Sequence, residues 1–530
     1  MTDSISDLQT RAAQAFSSGD YAQAASLLSE ALALAPRDGA VQGALGYALS
    51  RLGRLDEAAD RFDEAARLRP ADAALLRDAG AVNRKAGRLA AALAHYRAAY
   101  RLSNNDVALL GQVVDVLRQL GRADQALTFV DGILALAPQS AALHYVRGVA
   151  LGALARRREE RQAYETALKL DPRLVDAHTN LGVLARDEHR FQDALRHFKQ
   201  ALAIDPENAG ARNNRAQTNL LLGQYAHGWR DYEWRWRDGV QAMPFEGAPW
   251  LGGPPLAGKT LLVHAEQGLG DTLQFSRYVP ALAALAGRVV LRVQPPLQAL
   301  LQAYLPEVSV IAEGQPLPAF DHHVPLMSLP LALSRSEPLP LARRLQASPD
   351  LKAAWAGRLD QVFDGPARPR IGLCWSGSAA HPDDGNRSIP FAALASLLQA
   401  PCDFVCVQKD VRPADLQAID AWRGSGAAGR LYLAPLADFD DTAGLMANLD
   451  RLISVDSAPA HLAGAMEVPT WLLLPAMPDW RWQLRRADTP WYASVELLRA
   501  EQGWPAVLDG LRARLAQGLE DQAAGGAALT

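Results

Sequence analysis

Two short segments of the chain combine residue types and spacing suited to group-transfer chemistry. In HAEQGLGDT, residues 264–272, Gly268 and Gly270 precede a single carboxylate, Asp271. Glycines here permit a tight turn with uncovered backbone N–H groups, which hold an anion. A carboxylate at such a turn stands at the entrance to the following helix, where its plain role is a cap. In SVDSAPAHLAGAM, residues 454–466, Asp456 and Ser457 end an apolar run, and Pro459 and His461 open a helix whose N-terminus suits phosphate. A third segment, WSGSAAHPDDGNRSIPF at 375–391, is a long polar loop carrying Ser376, Asn386, Arg387 and Ser388. The planar fork of Arg387 matches a diphosphate. Each segment alone has a plainer reading: a helix cap for Asp271 or Asp456–Ser457, a half-buried ring for His461, a surface cation for Arg387. All three lie at the ends of expected strands, which points to one anion-binding cleft.

The elements that must position these residues alternate. KTLLVHA (259–265), GRVVLRVQ (287–294), VSVIAEG and DHHVPLM are short apolar runs, expected as buried parallel strands, and TLQFSRYVPALAAL (272–285) and PPLQALLQAYL are expected helices between them. A second set starts at RIGLCWSG (370–377) and continues through FAALASLLQA, CDFVCVQK with Gln408 at its end, TAGLMANL, DRLISVDS, APAHLAGAM and PTWLLLP. Two such lobes, joined by a helix and a proline-rich linker, leave a cleft at the carboxyl ends of their strands.

The first half of the chain is different. Aligned on GDY at 19–21, the same turn recurs as GRL at 53, GRL at 87, GRA at 121, ARR at 155, HRF at 189 and GQY at 223, a period of 34 residues. Ala24, Ala58, Ala92, Ala126 and Ala194 follow in phase, with Glu160 the exception; Ala31, Ala65, Ala99, Ala167 and Ala201 form a second set, with Ile133 the exception. Pro36, Pro70, Pro138, Pro172 and Pro206 close most repeats, and Asn104 replaces one. Glycine reverses the chain, small residues let paired helices approach, and proline ends the second helix. Asn83, Asn180, Asn213 and Asn214 are candidates to face the groove of such an array. Trp229, Tyr232, Trp234 and Trp236 are spaced so that several share one helical face, expected as a hydrophobic seam where the array meets the next domain.

Bulk composition excludes other classes. Hydrophobic residues make up 49% of the 530 and charged residues 21%, with a formal net charge of -4. This is an ordinary globular balance with no basic excess for nucleic acid. The N-terminus lacks a signal-peptide pattern, and no apolar run is long enough to insert in a membrane, so a cytoplasmic setting is expected. Cys374, Cys402 and Cys406 make neither a disulfide framework nor a metal quartet. Asp383 and Asp384 are expected loop residues, and Asp440 and Asp441 a helix cap, so no metal site is expected.

The 34-residue period with its Gly, Ala and Pro phases resembles the tetratricopeptide repeat, in about six copies over 5–208. AEQGLGDTLQFSRYVP, NRSIPF, VDSAPAHLAGAM and LLLPAMPDWRW resemble bacterial tetratricopeptide-repeat proteins with a C-terminal glycosyltransferase domain similar to glycosyltransferase family 9, the heptosyltransferases. The resemblance implies an all-α repeat superhelix followed by an α/β GT-B fold, two Rossmann-like lobes with parallel sheets facing a cleft. The corresponding divisions are an array with capping helices at 5–238, an acceptor-side lobe at 239–340, a linker at 341–369, a nucleotide-sugar lobe at 370–518 and a disordered tail at 519–530.

It further implies Asp271 as general base. Gly268, Gly270, Ser376, Asn386, Arg387, Ser388, Gln408, Asp456, Ser457, His461 and Trp480 are the expected donor-binding set. In DWRWQLRR, Trp480 or Trp482 is expected to stack on the nucleotide and Arg481 or Arg485 to bind phosphate, with a packed corner between the lobes as the competing reading. Transfer would be metal-independent and inverting, with a nucleotide sugar as substrate and no cofactor. The acceptor would be a protein held by the repeats, for which relatives suggest flagellin; the alternatives are a glycan or lipopolysaccharide acceptor, or a non-catalytic adaptor with a degenerate domain. Heptosyltransferases usually place a lysine in the phosphate loop where this chain has Arg387 and no lysine before Lys409, and they lack the repeats, so neither their donor sugar nor their lipid-linked acceptor carries over.

Overall fold

The computed structural model of the protein describes residues 4–103, 106–238, 243–381, 383–426 and 429–527, without the side chains of 518–527. Asn104 and part of the expected 519–530 tail lie outside the described residues. The chain divides into two compact units, 1–211 and 212–530.

The first unit is built of helical pairs: α1 (Ile5–Ser17) with α2 (Tyr21–Leu34), α3 (Gly39–Arg51) with α4 (Leu55–Leu68), α5 (Ala73–Lys85) with α6 (Leu89–Leu102), α7 (Val107–Gln119) with α8 (Ala123–Leu134), α9 (Ala141–Ala153) with α10 (Arg157–Leu170), and α11 (Val175–Asp187) with α12 (Phe191–Ile204). Both in-phase alanine sets are buried. Four pairs share a further device. Gly46, Gly80, Gly148 and Gly182 on the first helices receive Phe62, Tyr96, Tyr164 and Phe198 from the second, and a Cβ at any of these glycines would run into the ring. At the same phase in the pair α7–α8, the buried residues are Val114 and Val130. A glycine under a ring and two mid-sized side chains fill the same interhelical gap. The turns between paired helices need a left-handed residue. Gly19, Gly53, Gly87 and Gly121 supply it, whereas Ala155 (φ 55°) and His189 (φ 60°) adopt it without being glycine.

The division between units falls within α13 (Ala209–Leu221), so α14 (Tyr225–Tyr232) belongs with the second unit. That places the second unit's start well before residue 239, because Trp229 and Tyr232 pack into its aromatic core, against Phe275 and Trp480. Trp234 instead lies between the guanidinium groups of Arg212 and Arg237.

Lobe one carries β1 (Thr260–His264), α15 (Leu269–Phe275), α16 (Val279–Ala283), β2 (Arg288–Val293), α17 (Gln298–Tyr304), β3 (Ser309–Ala312), β4 (His322–Pro325) and α18 (Leu329–Ala332). The helix expected over 272–285 is broken by a 3-10 turn at Ser276–Tyr278 ahead of Pro280. After α19 (Pro349–Val362), lobe two carries β5 (Arg370–Cys374), α20 (Asp384–Arg387), α21 (Phe391–Leu394), β6 (Asp403–Cys406), α22 (Pro413–Gly424), β7 (Arg430–Leu433), α23 (Phe439–Met446), β8 (Arg451–Val455), α24 (Ala458–Ala465), β9 (Thr470–Pro475), β10 (Val495–Ala500) and α25 (Trp504–Ala527). All strand pairings are parallel; the sheet orders are β3-β2-β1-β4 and β10-β9-β8-β5-β6-β7. The second order is that of a doubly wound dinucleotide-type fold, and the first is its four-stranded beginning. In both sheets the first strand is where the winding reverses, so the switch point lies between β1 and β4 in lobe one and between β5 and β8 in lobe two.

The cap of α23 is Asp438, which accepts from the Asp441 N–H; Asp441 itself accepts the Trp355 indole N–H at 2.7 Å. Asp384 is not a free loop residue: it accepts from Ser388 Oγ at 2.6 Å and from Arg412.

Candidate functional site: the ends of β1, β5 and β8

The turn after β1 departs from expectation in detail. The left-handed residue is Gln267 (φ 58°), not a glycine. Gly268 is the N-cap of α15, and Asp271 sits at the third helical position rather than at the cap. Its Oδ2 accepts the Gly268 N–H at 2.8 Å, so that N–H is held by the chain's own carboxylate and is not open to an anion. Gly270 serves a different purpose. A Cβ there would come within 2.7 Å of His461 Cδ2 and 3.4 Å of Ala458 Cα. The helix carrying Asp271 thus packs directly on the first turn of α24, and the two sequence motifs meet through a hydrogen-sized gap that only glycine leaves.

The other Asp271 oxygen is ion-paired with Arg481 Nη2. Arg481 also binds Asp479 at 2.8 Å through Nη1 and Gln274 Oε1 at 3.0 Å through Nε, and its guanidinium lies 4.2 Å from the Trp480 ring centre. Each of its three nitrogens is thus engaged by the chain, and it is a buried structural cation rather than a free phosphate ligand. Trp480 is 6% exposed and enclosed by Trp229, Tyr232, Phe275 and Trp491. It offers no open face for a nucleotide; the packed-corner reading describes it.

In lobe two, Arg387 Nη1 donates to the Asp456 carbonyl at 3.2 Å, while its buried Nε has no partner. Asp456 follows β8 at the switch point, and its carboxyl is pushed up to about 6 by burial and by Asp479, against the pull of Arg481 and Arg387. His461 is buried; its Nδ1 is 3.1 Å from the Tyr492 hydroxyl, its ring stacks on Trp482 at 5.2 Å, and Nε2 lies 3.9 Å from Asp456 Oδ1. Burial, then Arg481 and Arg277, hold this imidazole well below its usual range and so neutral.

The remaining expected residues shape the loops. Gln408 Oε1 accepts both the Trp375 and Ser376 N–H groups, at 2.7 and 2.9 Å, and its Nε2 donates to Ser376 Oγ at 3.1 Å. Ser388 Oγ accepts the Gly377 N–H at 3.2 Å. Asn386 is exposed and bonds Asp383. Ser457 turns inward, 3.0 Å from Ser454 Oγ and 3.4 Å from Cys374 Sγ. Thus Asp271, Asp456, Arg387 and His461 come together at one place; Trp480 and Ser457 face protein.

Two features were missed from sequence. Asp479 supplies the cluster's third carboxylate. Glu266, two residues before Gly268, forms a buried pair with Arg235 at 2.7 Å and accepts the Met327 N–H at 3.1 Å, tying the segment after α14 to the switch point of lobe one. Nothing local in the sequence marks either partner. Among the described residues, no group of three or more His, Cys, Asp or Glu side chains forms a metal-ion site, and no helix is long and apolar enough to cross a membrane.

Residues 15–79, 84–149 and 175–208 match family models described as tetratricopeptide repeat. Protein FlbA of Caulobacter vibrioides is 28% identical over 340 residues, covering 58% of this chain and 55% of that protein. The chain thus spans about half the length of this relative. A tetratricopeptide repeat protein from Parabacteroides merdae aligns over 45% of this chain and 94% of its own, at 16% identity and a TM-score of 0.38. MamA from Desulfovibrio magneticus RS-1 aligns over 32% and 96%, at 21% identity and a TM-score of 0.26. The N-terminal region is therefore composed of tetratricopeptide repeats, followed by two parallel sheets.

Proposed function

We propose that the chain is a glycosyltransferase that moves a sugar from a nucleotide-activated donor to a Ser or Thr hydroxyl of a protein held by the repeats, with flagellin as the suggested acceptor. The observation that carries this reading is the convergence of Asp271 on Asp456, Arg387 and His461 at the carboxyl ends of β1, β5 and β8. Lobe two holds the donor. The unpartnered Arg387 Nε and the start of α24 after β8 face its diphosphate and spread the charge that builds up as it departs. Asp271 takes the proton of the acceptor hydroxyl as it attacks the anomeric carbon. Calorimetry with nucleoside diphosphates, followed by intact mass of candidate acceptors co-expressed with the chain, tests this. A diphosphate that binds and an acceptor that gains one sugar mass are expected; no diphosphate binding refutes it.

A second reading, a repeat adaptor with an inactive cleft, draws on one observation: Arg481 engages the carboxylate that the reaction needs. It predicts no mass gain and partner binding that survives removal of the α/β unit.

A further inference from the structure

The segment between β5 and α21 brings one more titratable side chain to the cluster. It is folded back on itself. The Gly377 N–H reaches Ser388 Oγ at 3.2 Å, and the His381 N–H reaches the Ser378 carbonyl at 3.1 Å. Asp384, whose N–H donates to the His381 carbonyl at 3.0 Å, is pinned by Arg412. Gly377 lets the segment lie against the Arg387 guanidinium, since a Cβ there would come within 2.5 Å of Nη2. His381 itself stays exposed, whereas His461 and Trp480 are sealed in protein.

The His381 ring has a defined polarity. Its Nδ1 accepts the Asp383 N–H at 3.1 Å. A neutral imidazole with Nδ1 as acceptor carries its proton on Nε2, at the other end of the ring. Partial desolvation, then the Arg387 cation, hold the imidazole below its usual range and so neutral, while Asp479, Asp383 and Asp271 pull the other way. His381 therefore stands where the charges of Arg387 in lobe two and Asp271 in lobe one both act, with an N–H that no described residue accepts.

We propose that His381 Nε2–H donates to the sugar-bearing phosphate of the nucleotide donor, beside Arg387. This rests on the reading of the cleft as a glycosyltransferase site. A phosphate in reach of Arg387, whose sugar is in reach of Asp271, lies where both charges act. The bond that breaks joins that phosphate oxygen to the anomeric carbon, and its electron pair passes to the oxygen. The N–H groups of His381 and Arg387 stabilise the added charge, the acceptor hydroxyl's proton goes to Asp271, and His381 keeps its own proton throughout.

Calorimetry with UDP, GDP, ADP, CDP and dTDP, and with the corresponding monophosphates, is run on the full chain and on His381→Ala, His381→Gln and His381→Asn. Unchanged thermal midpoints check that these exposed changes leave the fold intact. His381→Ala is expected to lose about ten- to a hundredfold in affinity for the diphosphate that the parent binds, with the monophosphate held within a few-fold. His381→Gln, whose amide nitrogen reaches the Nε2 position, is expected to keep most of the affinity. His381→Asn, whose amide reaches only the Nδ1 position, is expected to behave as His381→Ala. Equal diphosphate affinity in parent and His381→Ala, equal losses for monophosphate and diphosphate, or a better rescue by Asn than by Gln overturns the contact while leaving the cleft a nucleotide site. A parent that binds none of these nucleotides overturns the glycosyltransferase reading and this contact with it.

Discussion

Asp271 and Arg481 are ion-paired across 210 residues of sequence, joining the helix start of lobe one to the segment after β9 of lobe two. Asp479 and Gln274 complete the coordination of the guanidinium. Any proton transfer by Asp271 therefore begins with this carboxylate giving up, or sharing, its cation.

The pair separates two roles by mutation. Asp271→Asn is expected to lower sugar transfer by about 10²–10⁴-fold while diphosphate affinity stays within a few-fold. Rates on an acceptor identified by mass, alongside calorimetry, measure both. Unchanged turnover removes Asp271 from the mechanism.

Arg481→Ala leaves Asp271 and Asp479 without their shared cation in a largely buried place. A stability loss of about 3–5 kcal/mol is expected from unpaired buried charge. Urea unfolding followed by tryptophan fluorescence reads the second unit, since every tryptophan lies at or after Trp229. A loss under about 1 kcal/mol, the range of exposed pairs, would show the bridge to be solvated.

Asp456 gives the cluster an unusual pH dependence. Its carboxyl stands at about 6 in the folded chain, raised by burial and Asp479, against about 4 when unfolded. Between these values the folded chain keeps a proton that the unfolded chain has lost. Asp456 therefore stabilises most below pH ~4, and that contribution falls as pH rises to ~6. Asp456→Asn is expected to remove this fall, so the variant gains on the parent by about 1–3 kcal/mol between pH ~4 and ~6 and holds the gain at pH ~7. Parallel urea midpoints across that range check it; a constant difference would falsify the assignment.

Two glycines one residue apart, on either side of Leu269, should respond differently. Gly270→Ala drives a methyl into His461 and is expected to cost about 1–3 kcal/mol and to weaken diphosphate binding by pushing α15 from α24. Gly268→Ala, whose Cβ would meet only Asp271 Oδ2 at 3.1 Å, is expected to cost under about 1 kcal/mol. Equal losses would contradict the packing described here.

In the repeats, Ala155→Gly and His189→Gly place glycine where the backbone is already left-handed. Each is expected to stabilise the helical unit by about 0.5–1 kcal/mol, the relief of the left-handed strain less the added chain entropy of glycine. Helical circular dichroism through a urea titration gives the measurement.

The sequence by itself determined the elements whose partners are near in the chain. The 34-residue phases place Ala24 through Ala201 inside helical pairs because each helix packs mainly on its neighbours, a few dozen residues away. The central strands β1, β5, β6, β8 and β9 are legible as unbroken apolar runs because they are covered on both faces. The strands missed, β7 and β10, are the two edges of their sheet; both are partly exposed and lack that run. Tertiary structure alone decided what the site residues touch: that Gly270 exists for His461, that Trp480 is sealed beneath Arg481, that Glu266 pairs with Arg235, and that Arg481 grips Asp271. Apart from Trp480 and Arg481, which are neighbours in the chain, these contacts join residues from about 30 to 210 positions apart, brought together by the winding order of two sheets, and no local period or cap records a partner that distant.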